Sequence, residues 1–174
     1  MADLTQAENL NILGNNNFHF EIFELPTVSM FAQEFSLPGI TLGRAPVPTS
    51  AVDYNVPGEK IEYEDLVITF LVDEFLKNYI EIFNWMTYLG FPEDTSQFRK
   101  LITGQTQYRE KSDIILTVTT NKFNPHHEVH FIDCFPTDLS PVDFTNTDTT
   151  ITPIQATVTF DYSYYYFKPL TYAG

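Results

Sequence analysis

Basic residues are scarce in this chain: Lys and Arg together number nine against 23 Asp and Glu over 174 residues, a formal net charge of −14. That balance excludes a protein that grips nucleic-acid phosphates or an anionic membrane through a basic face. Cysteine occurs once, at Cys134, so no internal disulfide is expected and a reducing interior is favoured. Long apolar runs are missing too, and the longest, residues 66–72, falls far short of the ~20 residues that cross a bilayer. Met1-Ala2-Asp3-Leu4-Thr5 is neither basic nor apolar, so no signal peptide and no membrane anchor are expected, and the protein is expected to be soluble and cytosolic where it is made. No Gly-rich phosphate loop, Gly-x-Ser-x-Gly elbow or Cys-x-x-Cys is present.

What is present is enough for a core: 43% of the residues are hydrophobic and 16% aromatic. The length suits one domain of roughly 100–200 residues. A polar N-terminal arm is expected over residues 1–17, followed by a single β domain over 18–174. Phe18, Phe20 and Ile22 alternate with His19 and Glu21, the pattern of a strand with one buried face. A second strand is expected over residues 28–36, ended by the Pro38-Gly39 turn, and a third over 40–45. Residues 44–60 hold Pro46, Pro48 and Pro57-Gly58 and read as an extended protruding loop or edge hairpin.

Residues 62–72 form the next expected strand, in which Val67 and Leu71 on the second face imply cover on that side as well. Asp73 is placed to cap one helix whose stripe is Phe75, Tyr79, Ile82, Phe83, Met86 and Leu89, stopped by Gly90 and Pro92. Residues 92–111 read as a long polar connection. Three strands close the chain, over 113–119, 128–134 and 154–163, the last with the cleanest alternation. The sum is a mainly β fold: a β-sandwich or distorted barrel with one flanking helix.

Candidate chemistry is thin. His126, His127, Glu128, His130 and Cys134 are the densest group of metal-ligand types, and a regular strand puts His126, Glu128, His130 and Cys134 on one face. They support an alternative reading as a small metal-dependent hydrolase on a β scaffold; the ordinary reading is turn histidines and a solvated face. Cys134 as a nucleophile needs partners supplied by the fold, and a Cys in an apolar strand is more commonly a small buried hydrophobe. The Tyr162–Phe167 run suits strand packing or a subunit interface, since stacking platforms for single strands come with a basic groove.

The order of landmarks carries more. Leu37-Pro38-Gly39-Ile40 is followed by the Pro-rich segment, then Val56-Pro57-Gly58-Glu59-Lys60, Leu71-Val72-Asp73-Glu74, Asn84-Trp85-Met86, Leu89-Gly90-Phe91-Pro92, Val129-His130-Phe131 and Phe135-Pro136-Thr137. This set resembles the tail tube protein family of contractile-tailed bacteriophages, related to bacteriocin and type VI secretion inner tubes. The resemblance implies a structural virion protein, not an enzyme, that needs no cofactor or metal. It implies homo-hexameric rings stacked into a tail tube, with the inner sheets completing one β-barrel that conducts the genome. An initiator ring at the baseplate end is the alternative of the same fold. Implied partners are the tail sheath, baseplate tube initiator, tape measure protein and tail terminator, with double-stranded DNA passing unbound, and assembly in the host cytoplasm before residence in the virion tail. The resemblance also makes residues 44–56 an inter-ring arm, with Arg44, Pro46, Pro48, Asp53, Tyr54 and Val56 as its contacts. From strand alternation, Glu34, Asp113 and Asp133 are the channel-lining candidates, because an acidic bore repels DNA phosphates.

Overall fold

A computed structural model describes residues 12–90, 94–104, 108–145 and 152–170. The described chain runs β1 (Phe18–Ile22), α1 (Pro26–Phe31), β2 (Ala32–Ser36), β3 (Ile40–Val47), β4 (Tyr54–Tyr63), β5 (Leu66–Leu71), α2 (Lys77–Gly90), α3 (Thr95–Ile102), β6 (Ser112–Thr119), β7 (Pro125–Leu139), β8 (Gln155–Asp161) and β9 (Tyr164–Pro169). The mainly β architecture follows the sequence expectation, and all its pairings are antiparallel.

β7 organises the body. Its first half lies between β6 and β9, with β1 beyond β6; its second half pairs with β8, which continues into β5 and β2. The changeover falls at Asp133, whose φ of 60° and the register shift beside it bend the strand. Aspartate tolerates this left-handed conformation better than most residues. The bend folds the sheet onto itself, so that Phe35 of β2 meets Phe20 of β1 with ring centroids 5.6 Å apart. Phe35 also meets Phe131 of β7 edge-on at 6.1 Å. Two layers thus enclose one cluster of buried residues spanning Phe20 to Tyr162. Full burial of each large apolar side chain in it contributes about 1.5–3 kcal/mol.

Three helices are present among the described residues where one was expected. The expected strand over 28–36 begins only at Ala32, because Pro26 sits at the first turn of α1 and its ring presets a helical φ. Val28 is buried, whereas Met30, its apparent alternation partner, is exposed. α3 occupies part of the expected polar connection, and Arg99 and Lys100 in its last turn complement the negative end of the helix. α2 begins at Lys77, four residues after the expected cap Asp73. Asn78, fully buried, ties the junction: its Oδ1 accepts the N–H groups of Asp73 (3.2 Å) and Tyr79 (2.9 Å), and its Nδ2 donates to the Leu71 carbonyl (2.7 Å). The face that α2 buries is Asn78, Ile82 and Trp85, so the expected stripe is rotated, leaving Phe75 and Phe83 exposed. Trp85 packs on Phe160 and donates its indole N–H to the Arg109 carbonyl at 2.7 Å.

Residues 1–11 of the expected N-terminal arm, and Pro92 of the expected stop signal, lie outside the described residues. Residues 12–17 are tied down through Asn121, which donates to the Ile12 carbonyl at 2.9 Å and accepts from Asn17 Nδ2 at 2.8 Å.

Candidate assembly surfaces

The Pro-rich segment is a hairpin. β3 and β4 pair only with each other, from Ile40↔Tyr63 at the root to Val47↔Tyr54 near the tip, where the Thr49 hydroxyl closes the turn onto the Val52 carbonyl. Pro46 and Pro57 are accommodated because no further strand among the described residues lies beside the hairpin. Of the arm candidates, Arg44, Pro46, Pro48, Asp53 and Tyr54 are exposed and Val56 is half-buried, so the fold brings all six onto one protrusion. The ladder register puts Ile40, Leu42, Ile61 and Tyr63 on one face and Thr41 and Glu62 on the other. Ile40, Leu42 and Ile61 are each more than half exposed. An amphipathic protrusion with its apolar face uncovered is built to meet another surface.

The half of the sheet containing β8, β5 and β2 presents a second surface. Outward positions are Glu34 and Ser36 on β2, Val67, Thr69 and Leu71 on β5, and Gln155, Thr157, Thr159 and Asp161 on β8, with Asp138 and Phe135 of β7 opposite Thr159 and Asp161. Thr69 and Thr157 hydroxyls meet across the strands at 3.3 Å. Three carboxylates stand on this face and its strand positions carry no Lys, Arg or His. No element of the described chain covers it, and Val67 is 37% exposed where the sequence pattern implied cover. Among the described residues the ladder ends on either side: β2 and residues 135–139 of β7 each pair on one side only. Unpaired strand edges are templates for another chain.

The three channel candidates do not share this face. Glu34 lies on it; Asp113 is on β6, in the other half, and Asp133 is at the bend. Those two are joined, the Asp133 N–H donating to Asp113 Oδ1 at 3.1 Å, while Asp133 Oδ2 accepts from the Ser163 hydroxyl at 3.2 Å and lies 3.9 Å from Lys111 Nζ. Asp138 and Asp161 were missed as companions of Glu34. Asp161 was legible, standing in phase with Thr157 and Thr159; Asp138 was not, because a register shift precedes it.

The hydrolase alternative loses its geometry. The irregularity in β7 turns Cys134 fully inward, away from Glu128 and His130. Burial, helped by Asp113, pushes its thiol up to about 12, which leaves no thiolate for catalysis. Glu128 instead accepts from Lys168 (3.4 Å) and pairs with His130 Nε2 (2.9 Å), whose ring stacks on Tyr166 with centroids 5.1 Å apart. The His130 hydrogen bond, then Lys168, holds the Glu128 carboxyl below its usual range against the opposing effect of burial. Among the described residues no three His, Cys, Asp or Glu side chains converge on a metal position.

Residues 4–168 match the phage tail tube protein family. The chain belongs to that family. This phage tail tube family member is 29% identical over 167 residues to the tail tube terminator protein of Enterobacteria phage T4, covering 89% of this chain and 88% of that protein. Its fold is similar to the tube-terminating cap of the anti-feeding prophage, with a TM-score of 0.55 at 13% identity over 98% of this chain and all of that one. The extended sheath–tube complex of PVC, an extracellular contractile injection system, gives 0.51 at 14% identity over 91% and 93%. The tail tube family member is accordingly a structural protein of the tube and terminator type and a component of the virion, not an enzyme. Among the described residues no helix is long and apolar enough to cross a membrane.

Proposed function

We propose that six copies of the protein close into a ring at an end of a phage tail tube, bordering the conduit through which the genome leaves. The observation that carries this reading is the cation-free face of Glu34, Thr69, Thr157, Thr159, Asp138 and Asp161 between two strand edges that no other described strand pairs. Joining β2 of one copy to residues 135–139 of the next satisfies both edges and turns the face into the wall of a continuous barrel. A bore wall that carries hydroxyls and carboxylates and no cation gives DNA phosphates no counterion-releasing partner, so the duplex slides instead of binding. Asp113, on the other half of the sheet, and Asp133, at the bend, are assigned away from the bore. The position at a tube end is supported by the nearly end-to-end correspondence with the T4 tail tube terminator protein.

A second reading, the repeating tube subunit, is favoured by the hairpin: an arm with Arg44, Pro46, Pro48, Asp53, Tyr54 and Val56 exposed or half-exposed suits contact from ring to ring. In either position the ring meets the tube, and the sheath, tape measure protein and baseplate initiator are its further partners. Assembly takes place in the host cytoplasm.

Electron microscopy of the purified protein tests the ring. Closed rings with an axial hole are expected, and a monomer persisting at high concentration across salt conditions overturns the proposal. Quantitative mass spectrometry of intact virions separates the two positions. Six copies per particle mark a terminal ring, whereas many multiples of six mark the repeating tube.

A further inference from the structure

The hairpin protrudes from the body through two strands only, at Pro38-Gly39 and at Glu64, and β3 and β4 pack chiefly on each other. A protrusion joined in that way swings unless its root is held. The root is held on both strands. The Tyr162 hydroxyl, from the turn after β8, donates to the Glu64 carbonyl at 2.7 Å, and the Tyr165 hydroxyl, from β9, donates to the Pro38 carbonyl at 3.1 Å. Between them Glu64 N–H donates to the Gly39 carbonyl and Gly39 N–H donates to Glu64 Oε2, both at 3.1 Å. The Tyr63 ring, at the root of β4, packs edge-on to Tyr165 at 5.5 Å and against Tyr162 at 5.9 Å.

We infer that Tyr162 and Tyr165 are positioning residues that fix the direction of the β3–β4 arm, each phenol anchoring one of its two strands to the body. Among the described residues the acceptors of the two hydroxyls are the backbone carbonyls at which the chain leaves and re-enters the body. Burial pushes the Tyr162 phenol above its usual range, which favours the protonated, donating hydroxyl. An arm held at a set angle presents Ile40, Leu42 and Ile61 to a neighbouring copy without first losing orientational freedom, which is the advantage of preorganisation. The inference rests on the assembly role proposed above only in its last step; the anchoring itself is a property of the single chain.

The test uses Tyr162→Phe, Tyr165→Phe and the double variant, which keep the rings and remove only the hydroxyls. Spin labels on Asp53→Cys at the arm tip and Glu21→Cys on β1 report arm direction as a distance distribution, the buried Cys134 remaining unlabelled. In the double variant the distribution is expected to broaden at least twofold. A distribution as narrow as that of the parent, in a folded variant, overturns the anchor. Should the double variant not fold, Tyr165→Phe alone is read the same way, joined by amide exchange at Gly39 and Glu64, expected to accelerate severalfold; unchanged width and exchange overturn the inference. Association of copies is measured in parallel. A broadened arm with weakened association supports both steps, while a broadened arm with unchanged association leaves the anchor standing and overturns the docking role of the arm.

Discussion

Two facing glycines in the hairpin are expected to respond to the same substitution with opposite signs. A Cβ added at Gly58 meets the Gly43 carbonyl oxygen at 2.6 Å and its carbon at 2.7 Å, roughly 0.8 Å inside ordinary contact. Both are backbone atoms, so relief requires the two strands to part. Overpacking of this kind costs about 1–3 kcal/mol. The loss of unfolded-chain freedom on replacing Gly by Ala returns about 0.4–1 kcal/mol. Sterics therefore win for Gly58→Ala, by roughly 1–2 kcal/mol.

A Cβ added at Gly43 meets only the Lys60 carbonyl, at an ordinary 3.6 Å, so Gly43→Ala keeps the entropic gain alone. Because the hairpin stands apart from the core, the effects are local. Amide exchange over residues 41–46 and 55–62 is expected to speed up about 5–30-fold in Gly58→Ala. In Gly43→Ala it holds steady or slows about 2–5-fold, and the thermal midpoint of the body stays put in both. Equal responses of the two variants refute the close approach of the strands.

Three further expectations concern the body. Asn78→Ala orphans the Leu71 carbonyl and the Asp73 N–H, at about 1–3 kcal/mol each, so a denaturant titration is expected to show a loss of at least about 2 kcal/mol; a loss under about 1 contradicts the role given to Asn78. The Glu128 carboxyl sits below its unfolded value of about 4.3, so its contribution is complete above that pH and disappears as pH falls through the lower folded value. The midpoint difference between parent and Glu128→Gln is thus expected to be constant above about pH 5 and to shrink in acid; growth in acid argues against the assigned partners. Cys134, buried and with its thiol at about 12, is expected to react with thiol reagents only at the unfolding rate, and prompt stoichiometric labelling of folded protein excludes its placement.

The sequence spoke clearly where one periodicity governed one element. The alternation of β8 and of β1 named their buried residues, because each strand has one face in the core and no bulge shifts its phase. It spoke poorly where a local irregularity reset the phase. The bend at Asp133 put Cys134 on the opposite side from Glu128, and aspartate's tolerance of the left-handed conformation is a far weaker signal of a bend than a glycine is. α2 was misaligned because its most enclosed positions include Asn78, a polar residue buried for its three backbone bonds. The arm was legible from its prolines, but its anchors were not, since nothing local to Tyr162 or Tyr165 points to Glu64 or Pro38 about a hundred residues earlier.

β7 runs through both halves of the fold as one bent strand of 15 residues, about 50 Å measured along its length. Neither layer therefore owns a complete set of hydrogen bonds without it. The two layers share a keel, so they are expected to melt in one cooperative event instead of peeling apart. A subunit tied together in this way sheds neither layer under load: it holds as a whole or comes undone as a whole.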